Sequence, residues 1–531
     1  MDRVFGPDGV LLAKADSDCI FAIRQICLFA KKLKLPCTRA REKAAETAFS
    51  TCESELRSHV VNNNMADIFN RVSDIVWTDL VGGPVDPFDQ FIPRHGPGTT
   101  QEGLRGNRKY QFPSWPSRLE KEFPFSEFGI GSIRTADLGN PLLQGVSEFS
   151  TRNETPVRVV FVPKTQKTPR VIAIEPVCMQ YIQQAIASWL KPRIEHSSLY
   201  LRGHVNFTDQ GINAKLALSS SQTRSHSTLD MSEASDRVSA DLVWQMLRSV
   251  PAFRRQVFAC RSTRATLPSG RLIALRKFAS MGSALCFPIE SVAFFLAIVS
   301  IRIHGAGVRV TPRAVRKYSS GVYVYGDDLI VPIDVAPAVS TTLSCYGFRV
   351  NAHKSFWNGN FRESCGMDAF NGVDVTPVYL RRMLPVDRTD AHGVASAVSL
   401  ANQFYLKGLW LVARKLREHV EYILGALPTT TIKAFRYLER VIEGRYDPSR
   451  GSAGLGWISF SNGESANGWD YGLQCFKSKR WVVSPIRRSD PLEGDSALLK
   501  CFGVIGLDTV SPTHLRESVR YGNLALKRRW V

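Results

Sequence analysis

The chain has 531 residues, 44% hydrophobic and 22% charged, which excludes wholesale disorder and supplies enough apolar surface for a multi-lobed globule or several subdomains. Its 68 Lys and Arg against 48 Asp and Glu leave a formal charge of +20, an excess that favours a polyanionic partner, nucleic acid ahead of a membrane surface. The 11 cysteines form no C-x-x-C pair and no regular spacing, which argues against a disulfide framework or structural zinc and for a reducing compartment.

No charged segment followed by an apolar stretch stands at Met1-Asp2-Arg3, so no signal peptide is expected there. The first 150 residues mix helical stretches, Ser17 to Leu35 and Arg39 to Val60, with Gly/Pro-rich loops such as His95-Gly96-Pro97-Gly98. Val157 to Val162 and Arg170 to Ile174 read as strands joined by a basic turn. Lys164, Lys167 and Arg170 on that hairpin are three cations suited to a triphosphate, although a solvated turn has the same composition. A helix follows from about Cys178 to Leu190, with Ile182, Ile186, Trp189 and Leu190 on one face.

Between Ser227 and Asn351 the pattern is strand, helix, helix, hairpin, helix, strand. That order predicts an α+β unit, a small antiparallel sheet backed by helices as in ferredoxin-like folds. Thr228-Leu229-Asp230 ends a strand, and Glu233 to Arg248 reads as a helix with Ala234, Val238, Leu242 and Met246 inward. Arg254 to Phe278 reads as a basic insertion. Ser280-Met281-Gly282-Ser283 comes next; glycine and small residues let backbone approach a substrate, and the Ser280 and Ser283 hydroxyls can bond a ribose. The apolar run Ala284 to Ile301 only just reaches membrane-spanning length and is interrupted by Pro288 and Glu290, so a helix buried in a soluble core is expected. Ala338 to Tyr346 reads as a helix, Thr389 to Glu443 as mainly helical, Gly451 to Gly472 as loop, and the end of the chain as a basic tail.

The chemistry concentrates at Tyr325-Gly326-Asp327-Asp328, set between Gly321-Val322-Tyr323-Val324 and Leu329-Ile330-Val331-Pro332. Strand, tight Gly-Asp turn, strand is the local reading, and it puts two adjacent carboxylates at a hairpin tip. At ~4 Å and an effective dielectric near ~20, bare carboxylates repel by roughly 4 kcal/mol. A polar hairpin turn alone would account for an isolated Asp-Asp. In a cleft the pair calls for a divalent cation, and hard Mg²⁺ prefers such oxygen ligands. If Asp230 lies on a neighbouring strand, Asp230, Asp327 and Asp328 can hold two Mg²⁺ ions about 3.5–4 Å apart. Lys354, after the strand Gly347 to Val350, could protonate a leaving pyrophosphate or simply bind phosphate.

Basic hairpin, Asp230-x5-Asp236, Ser280-Met281-Gly282-Ser283, Tyr325 to Asp328 and Gly347-Phe348-x5-Lys354, in that order, resemble the viral RNA-dependent RNA polymerases. More narrowly the chain is similar to the replicase β subunit of the leviviruses, the small positive-strand RNA bacteriophages. That match rests on Phe161-Val162-Pro163-Lys164, Ala173-Ile174-Glu175-Pro176, Phe361-Arg362-Glu363-Ser364-Cys365-Gly366, Val373 to Pro377 and His95 to Gly98. It covers roughly residues 95 to 380.

The resemblance implies a right-handed polymerase copying single-stranded RNA from ribonucleoside triphosphates. It implies an N-terminal region with part of the fingers (1–150), fingers with the nucleotide-binding hairpin (151–225), a palm with a finger insertion near 251–285 (226–380), and a mainly helical thumb with the C-terminal region (381–531). Asp230, Asp327 and Asp328 would bind two Mg²⁺, with Mn²⁺ as a substitute. Lys164, Lys167 and Arg170 would hold the triphosphate, Ser280 and Gly282 would lie against substrate, and Asp236 and Ser283 would read the 2′-OH. Host elongation factors Tu and Ts and ribosomal protein S1 are the partners implied, in the cytoplasm of the bacterial host. A reverse transcriptase is the nearest alternative, but Met231 to Asp236 contains no bulky aromatic to exclude a 2′-OH. A non-catalytic basic RNA-binding protein explains the charge but not the carboxylate pair. The chain contains no G-x-x-x-x-G-K-[ST] loop and no H-E-x-x-H helix.

Overall fold

The computed structural model describes residues 2–12, 14–131, 147–149, 153–165, 168–460, 468–472, 474–503 and 512–530. Three helices open the chain: α1 (Ser17–Leu28), α2 (Arg39–Ser58) and α3 (Asn63–Val81). Asp16 and Thr38 accept from backbone amides of the first turns of α1 and α2, and Gly82, left-handed at φ 71°, ends α3. α1 stops at Leu28, short of the expected Leu35. The sequence reading contained no α3, although Met65, Phe69, Val72, Val76 and Leu80 repeat at helical spacing and are all buried.

β1 (Val157–Pro163) pairs antiparallel with β2 (Pro169–Ile174), as expected. Next come α4 (Val177–Pro192), α5 (Gly211–Thr223), β3 (His226–Ser232), α6 (Ala240–Met246) and α7 (Pro251–Ala259). The helix expected from Glu233 to Arg248 is cut to α6, because Glu233 adopts φ 54° and Ser239 caps Leu242 N at 3.0 Å. The stretch read as a basic insertion is ordered structure. Pro251 starts α7, and β4 (Arg264–Thr266) and β5 (Leu272–Ala274) extend the first sheet through a parallel pairing of β4 with β1. Its strand order is β2-β1-β4-β5.

α8 (Cys286–Gly305) is long and apolar enough to cross a membrane by length and composition, yet its side chains are buried all round, Phe294 and Phe295 completely. Each such phenylalanine contributes about 1.5–3 kcal/mol by leaving water. After α9 (Pro312–Ser319) come β6 (Tyr323–Tyr325), β7 (Asp328–Pro332), α10 (Ala336–Thr342) and β8 (Arg349–Val350). These build the second sheet, wholly antiparallel, in the order β8-β3-β7-β6. α8, α3 and the apolar face of this sheet share one core, in which Phe294 meets Phe348 edge-on at 4.8 Å.

β9 (Phe361–Ser364) and β10 (Met367–Phe370) form a hairpin through Cys365 and Gly366, both left-handed, at φ 49° and 79°. α11 (Ala391–Leu406), α12 (Trp410–Leu424) and α13 (Ile432–Ile442) pack around a second core. Where loop was expected, Ala453–Gly454 and Trp457–Ile458 are short paired strands. Where a basic tail was expected, β11 (Lys479–Ser489) and β12 (Glu517–Trp530) form a long antiparallel hairpin with a register shift at Pro485/Ile486, α14 (Gly494–Phe502) lying between them. Asn107 fastens this region to the N-terminal half. Its backbone N–H donates to Asp490 Oδ2 at 2.8 Å, its Nδ2 to Leu515 O at 3.2 Å, and its Oδ1 accepts from Lys500 Nζ at 2.6 Å.

Candidate active site

Tyr325 pairs with Asp328, so Gly326 and Asp327 are the two residues of the turn between β6 and β7. Gly326 has φ 61°, and a Cβ there would run into the ring of Phe287. Phe287 also stands edge-on to Tyr325 at 5.4 Å, while the Tyr325 hydroxyl donates to Phe207 O at 3.1 Å. The tip is therefore held from beneath by rings as well as by strand pairing.

Asp230 lies directly opposite Asp328 across the β3–β7 pair, and Met231 N–H donates to Asp327 O at 3.3 Å. Directly opposed residues place their Cβ atoms about 4.5–5.5 Å apart, so Asp230 meets the adjacent pair Asp327 and Asp328 although it is distant from them in sequence. Asp230 Oδ2 accepts from Asn351 Nδ2 at 2.8 Å and its Oδ1 from Lys354 Nζ at 3.4 Å. Asp328 Oδ2 accepts from the Cys365 N–H at 3.1 Å, and Asn213 Nδ2 donates to its carbonyl at 3.2 Å. Desolvation, and then the neighbouring Asp327 charge, push the Asp328 carboxyl up to about 7. Asp327 is raised too, by desolvation first and by Asp230 second.

Among the described residues, no three His, Cys, Asp or Glu side chains are already grouped around one metal position. The donor chemistry nevertheless fits a hard divalent cation: carboxylate oxygens only, each raising the cost of charging the next.

The predicted cations surround this cluster unevenly. Lys354, on a 3-10 turn after β8, would be lowered by partial burial, but the charges of Asp230 and Glu363 hold it above its ordinary value. Lys164, at the end of the β1–β2 hairpin, is lowered by partial desolvation and by Arg170, and feels the charges of Asp327 and Asp230. Arg170 is exposed beside it. Lys167 lies outside the described residues.

Asp236 sits on the short turn after β3 and accepts from Lys277 Nζ at 2.8 Å. Gly282 has φ 137°, and a Cβ would collide with the Ala173 carbonyl on β2, so only glycine fits. Ser283 Oγ accepts from Leu285 N at 3.3 Å at the start of α8, and Ser280 is buried with no partner for its hydroxyl among the described residues. Ser283 is thus one turn from Cys286, whose thiol feels the Asp236 charge.

Several participants were not singled out from sequence. Asn351 and the Cys365 amide hold two of the three aspartates. Glu290, buried in α8, is pushed well above the carboxylate range by desolvation and by Asp327. Glu53 on α2 forms an ion pair with Lys277, its Oε1 3.0 Å from Nζ. Asn351 and Cys365 lie inside segments that carry a sequence signal, and Glu290 stands out in its apolar run; Glu53 and the pairings themselves depend on contacts between distant segments.

A family model described as RNA replicase, beta-chain matches residues 122–390, slightly more than half of the chain. The chain is 33% identical over 340 residues to the RNA-directed RNA polymerase subunit beta of Qbeta virus (strain MX1), covering 62% of this chain and 52% of that protein. It is 32% identical over 249 residues to the RNA-directed RNA polymerase beta chain of Enterobacteria phage fr, covering 45% and 42%. With the corresponding beta chain of Escherichia phage MS2 it shares 33% over 229 residues, covering 43% and 38%. In its longest such match the chain spans about half the length of the relative.

Proposed function

We propose that this chain, which belongs to the RNA replicase beta-chain family, is an RNA-directed RNA polymerase that replicates a single-stranded RNA phage genome from ribonucleoside triphosphates. The observation that carries the reading is the cross-strand pair Asp230–Asp328 with Asp327 on the adjoining turn. In this reading the β8-β3-β7-β6 sheet and its helices are the palm, the β2-β1-β4-β5 sheet belongs to the fingers, and α11 to α13 to the thumb.

Asp230, Asp327 and Asp328 would hold divalent cations, two Mg²⁺ with Mn²⁺ as a substitute. Bound there, such ions lower the pKa of an attacking 3′-hydroxyl and offset charge on the leaving pyrophosphate. The chain's own groups do the rest. Lys164 and Arg170, with Lys167, bind and orient the triphosphate. Lys354, held protonated beside Asp230, supplies a cation to the phosphates. Asp236, one oxygen fixed by Lys277, offers the other to the sugar 2′-OH, with Ser283 nearby. Gly282 brings backbone against β2, and Ser280 lies beneath it. Host elongation factors Tu and Ts and ribosomal protein S1 in the bacterial cytoplasm complete the proposal.

The test is pyrophosphate release on a single-stranded RNA template with ribonucleotides and Mg²⁺. Asp327→Asn is expected to lower the rate by at least about 10³-fold, the scale of removing a preorganised charge-stabilising group, with RNA binding unchanged. A rate unaffected by the substitution, or a variant that no longer folds, would return the carboxylates to a structural role. Preferential use of deoxynucleotides would point to a reverse transcriptase.

A further inference from the structure

Away from the acidic cluster, a cleft of about 970 Å³ opens where the loop 97–108, the end of α13 and the β11–β12 hairpin meet. Lys34, Arg105, Arg108, Arg382, Arg488 and Arg520 line it. Elsewhere arginines pair with carboxylates, as Arg118 does with Glu154 and Arg248 with Asp74. Among the described residues none of these six has an ion-pair partner. The cleft's two carboxylates are engaged elsewhere: Asp490 accepts from the Asn107 N–H at 2.8 Å, and Glu443 pairs with Arg381 and Arg445. His392 adds a buried Nδ1 with no hydrogen-bond partner. Six cations against two carboxylates that are also bound to other donors leave a net repulsion, and a ligand carrying regularly spaced negative charge relieves it.

We propose that this cleft is a binding site for the phosphate backbone of single-stranded RNA, separate from the carboxylate cluster and built largely from residues outside the span shared with the family. It rests on the polymerase reading only for the identity of the polyanion. Among the described residues no Phe, Tyr or Trp side chain lines the cleft, so contacts fall mainly on phosphate and sugar. Binding is therefore sequence-independent and steep in salt. The space is too small to enclose a turn of duplex. Lys34 feels the charge of Arg170, so one end of the cleft lies within electrostatic reach of the β1–β2 hairpin.

The test compares the whole chain with the fourfold variant Arg105→Gln, Arg108→Gln, Arg488→Gln, Arg520→Gln. A control removes the same charge from an exposed surface through Arg309→Gln, Arg313→Gln, Arg316→Gln, Lys317→Gln. Affinity for labelled single-stranded oligoribonucleotides of different sequence is measured across a salt series. Each lost phosphate contact flattens the salt dependence by about 0.7 on single strands, so the cleft variant should flatten it by about 2–3 and lose about 10²-fold in affinity at low salt. The control should lose far less. Equal losses in both variants, an unchanged slope, a loss confined to duplex RNA, or a loss confined to triphosphate binding would each overturn the proposal. Should the parent chain release no pyrophosphate while the cleft variant still loses RNA, the polymerase reading fails and this site stands.

Discussion

Lys277 reaches Asp236 from inside the protein: its side chain has no exposed surface, and its ammonium lies 2.8 Å from Asp236 Oδ1. The same nitrogen is 3.0 Å from Glu53 on α2, and the Phe49 ring closes over it at 3.4 Å. Burial acts to lower the lysine, but the two carboxylates hold it above its ordinary value. Breaking such a buried arrangement by removing one partner costs about 3–5 kcal/mol. Lys277→Met should lose stability on that scale in urea denaturation. Glu53→Gln, which leaves Lys277 with Asp236, should cost less and change the ratio of ribonucleotide to deoxynucleotide incorporation. An unchanged ratio in a folded Glu53→Gln variant would sever α2 from sugar selection.

The turn that presents Asp327 tolerates no side chain at Gly326. Gly326→Ala meets both the left-handed backbone, about 1–2 kcal/mol, and the Phe287 ring. Displacing the tip by ~1 Å should reduce nucleotidyl transfer by about 10²-fold while leaving most of the fold intact. Phe287→Leu in the same chain should recover part of the rate by removing the steric half of the problem. Full activity of Gly326→Ala would mean that the tip's position is unimportant.

Without bound cations, Asp328 is an acid whose folded value, about 7, lies above its ordinary 3.8. The folded chain then binds a proton that the unfolded chain has released, so stability falls as pH rises from about 4 to 7. Asp328→Asn should flatten that decline, and Mg²⁺ should raise the melting temperature of the parent at pH 8 more than that of the variant. Thermal melts at pH 5 and 8, with and without Mg²⁺, read both effects.

Lys109 and Lys500, both buried, are lowered by desolvation to about 8 from 10.5. Their hydrogen bonds run to neutral oxygens, Lys109 to Gly98 O at 3.0 Å and Lys500 to Asn107 Oδ1 at 2.6 Å. Between about 8 and 10.5 the unfolded chain carries protons that the folded chain lacks, so this contribution makes the fold more stable as pH rises. Below 8 the cost of two buried ammoniums is present in full. Lys500→Met should reduce the gain between pH 8 and 10 in urea midpoints; an undiminished gain would locate it elsewhere.

The carboxylate site was legible because its signals are local. Tyr325 to Asp328 carries its turn within four residues, and Thr228 to Asp230 reads as a strand from its own side chains. What the sequence could not display was the support. Glu53 and Lys277 are far apart along the chain, and the Cys365 amide has no side-chain signature. α3 was present in its spacing of Met65, Phe69, Val72, Val76 and Leu80 and went unread after two more evident helices. The β11–β12 hairpin was hidden for another reason: Pro485 and the register shift beside it break the alternation of Trp481 to Ile486.

The anchoring of Asp236 by Lys277, itself paired with Glu53, has a consequence for how the molecule is assembled. The stretch matched by the family model begins at residue 122, well after α2, so a core cut to that stretch would bury an ammonium with one counter-charge missing. During synthesis, the helix that must receive Lys277 emerges first and waits for more than two hundred residues. The surroundings of Asp236 can be complete only once that early segment and the later one have closed on each other.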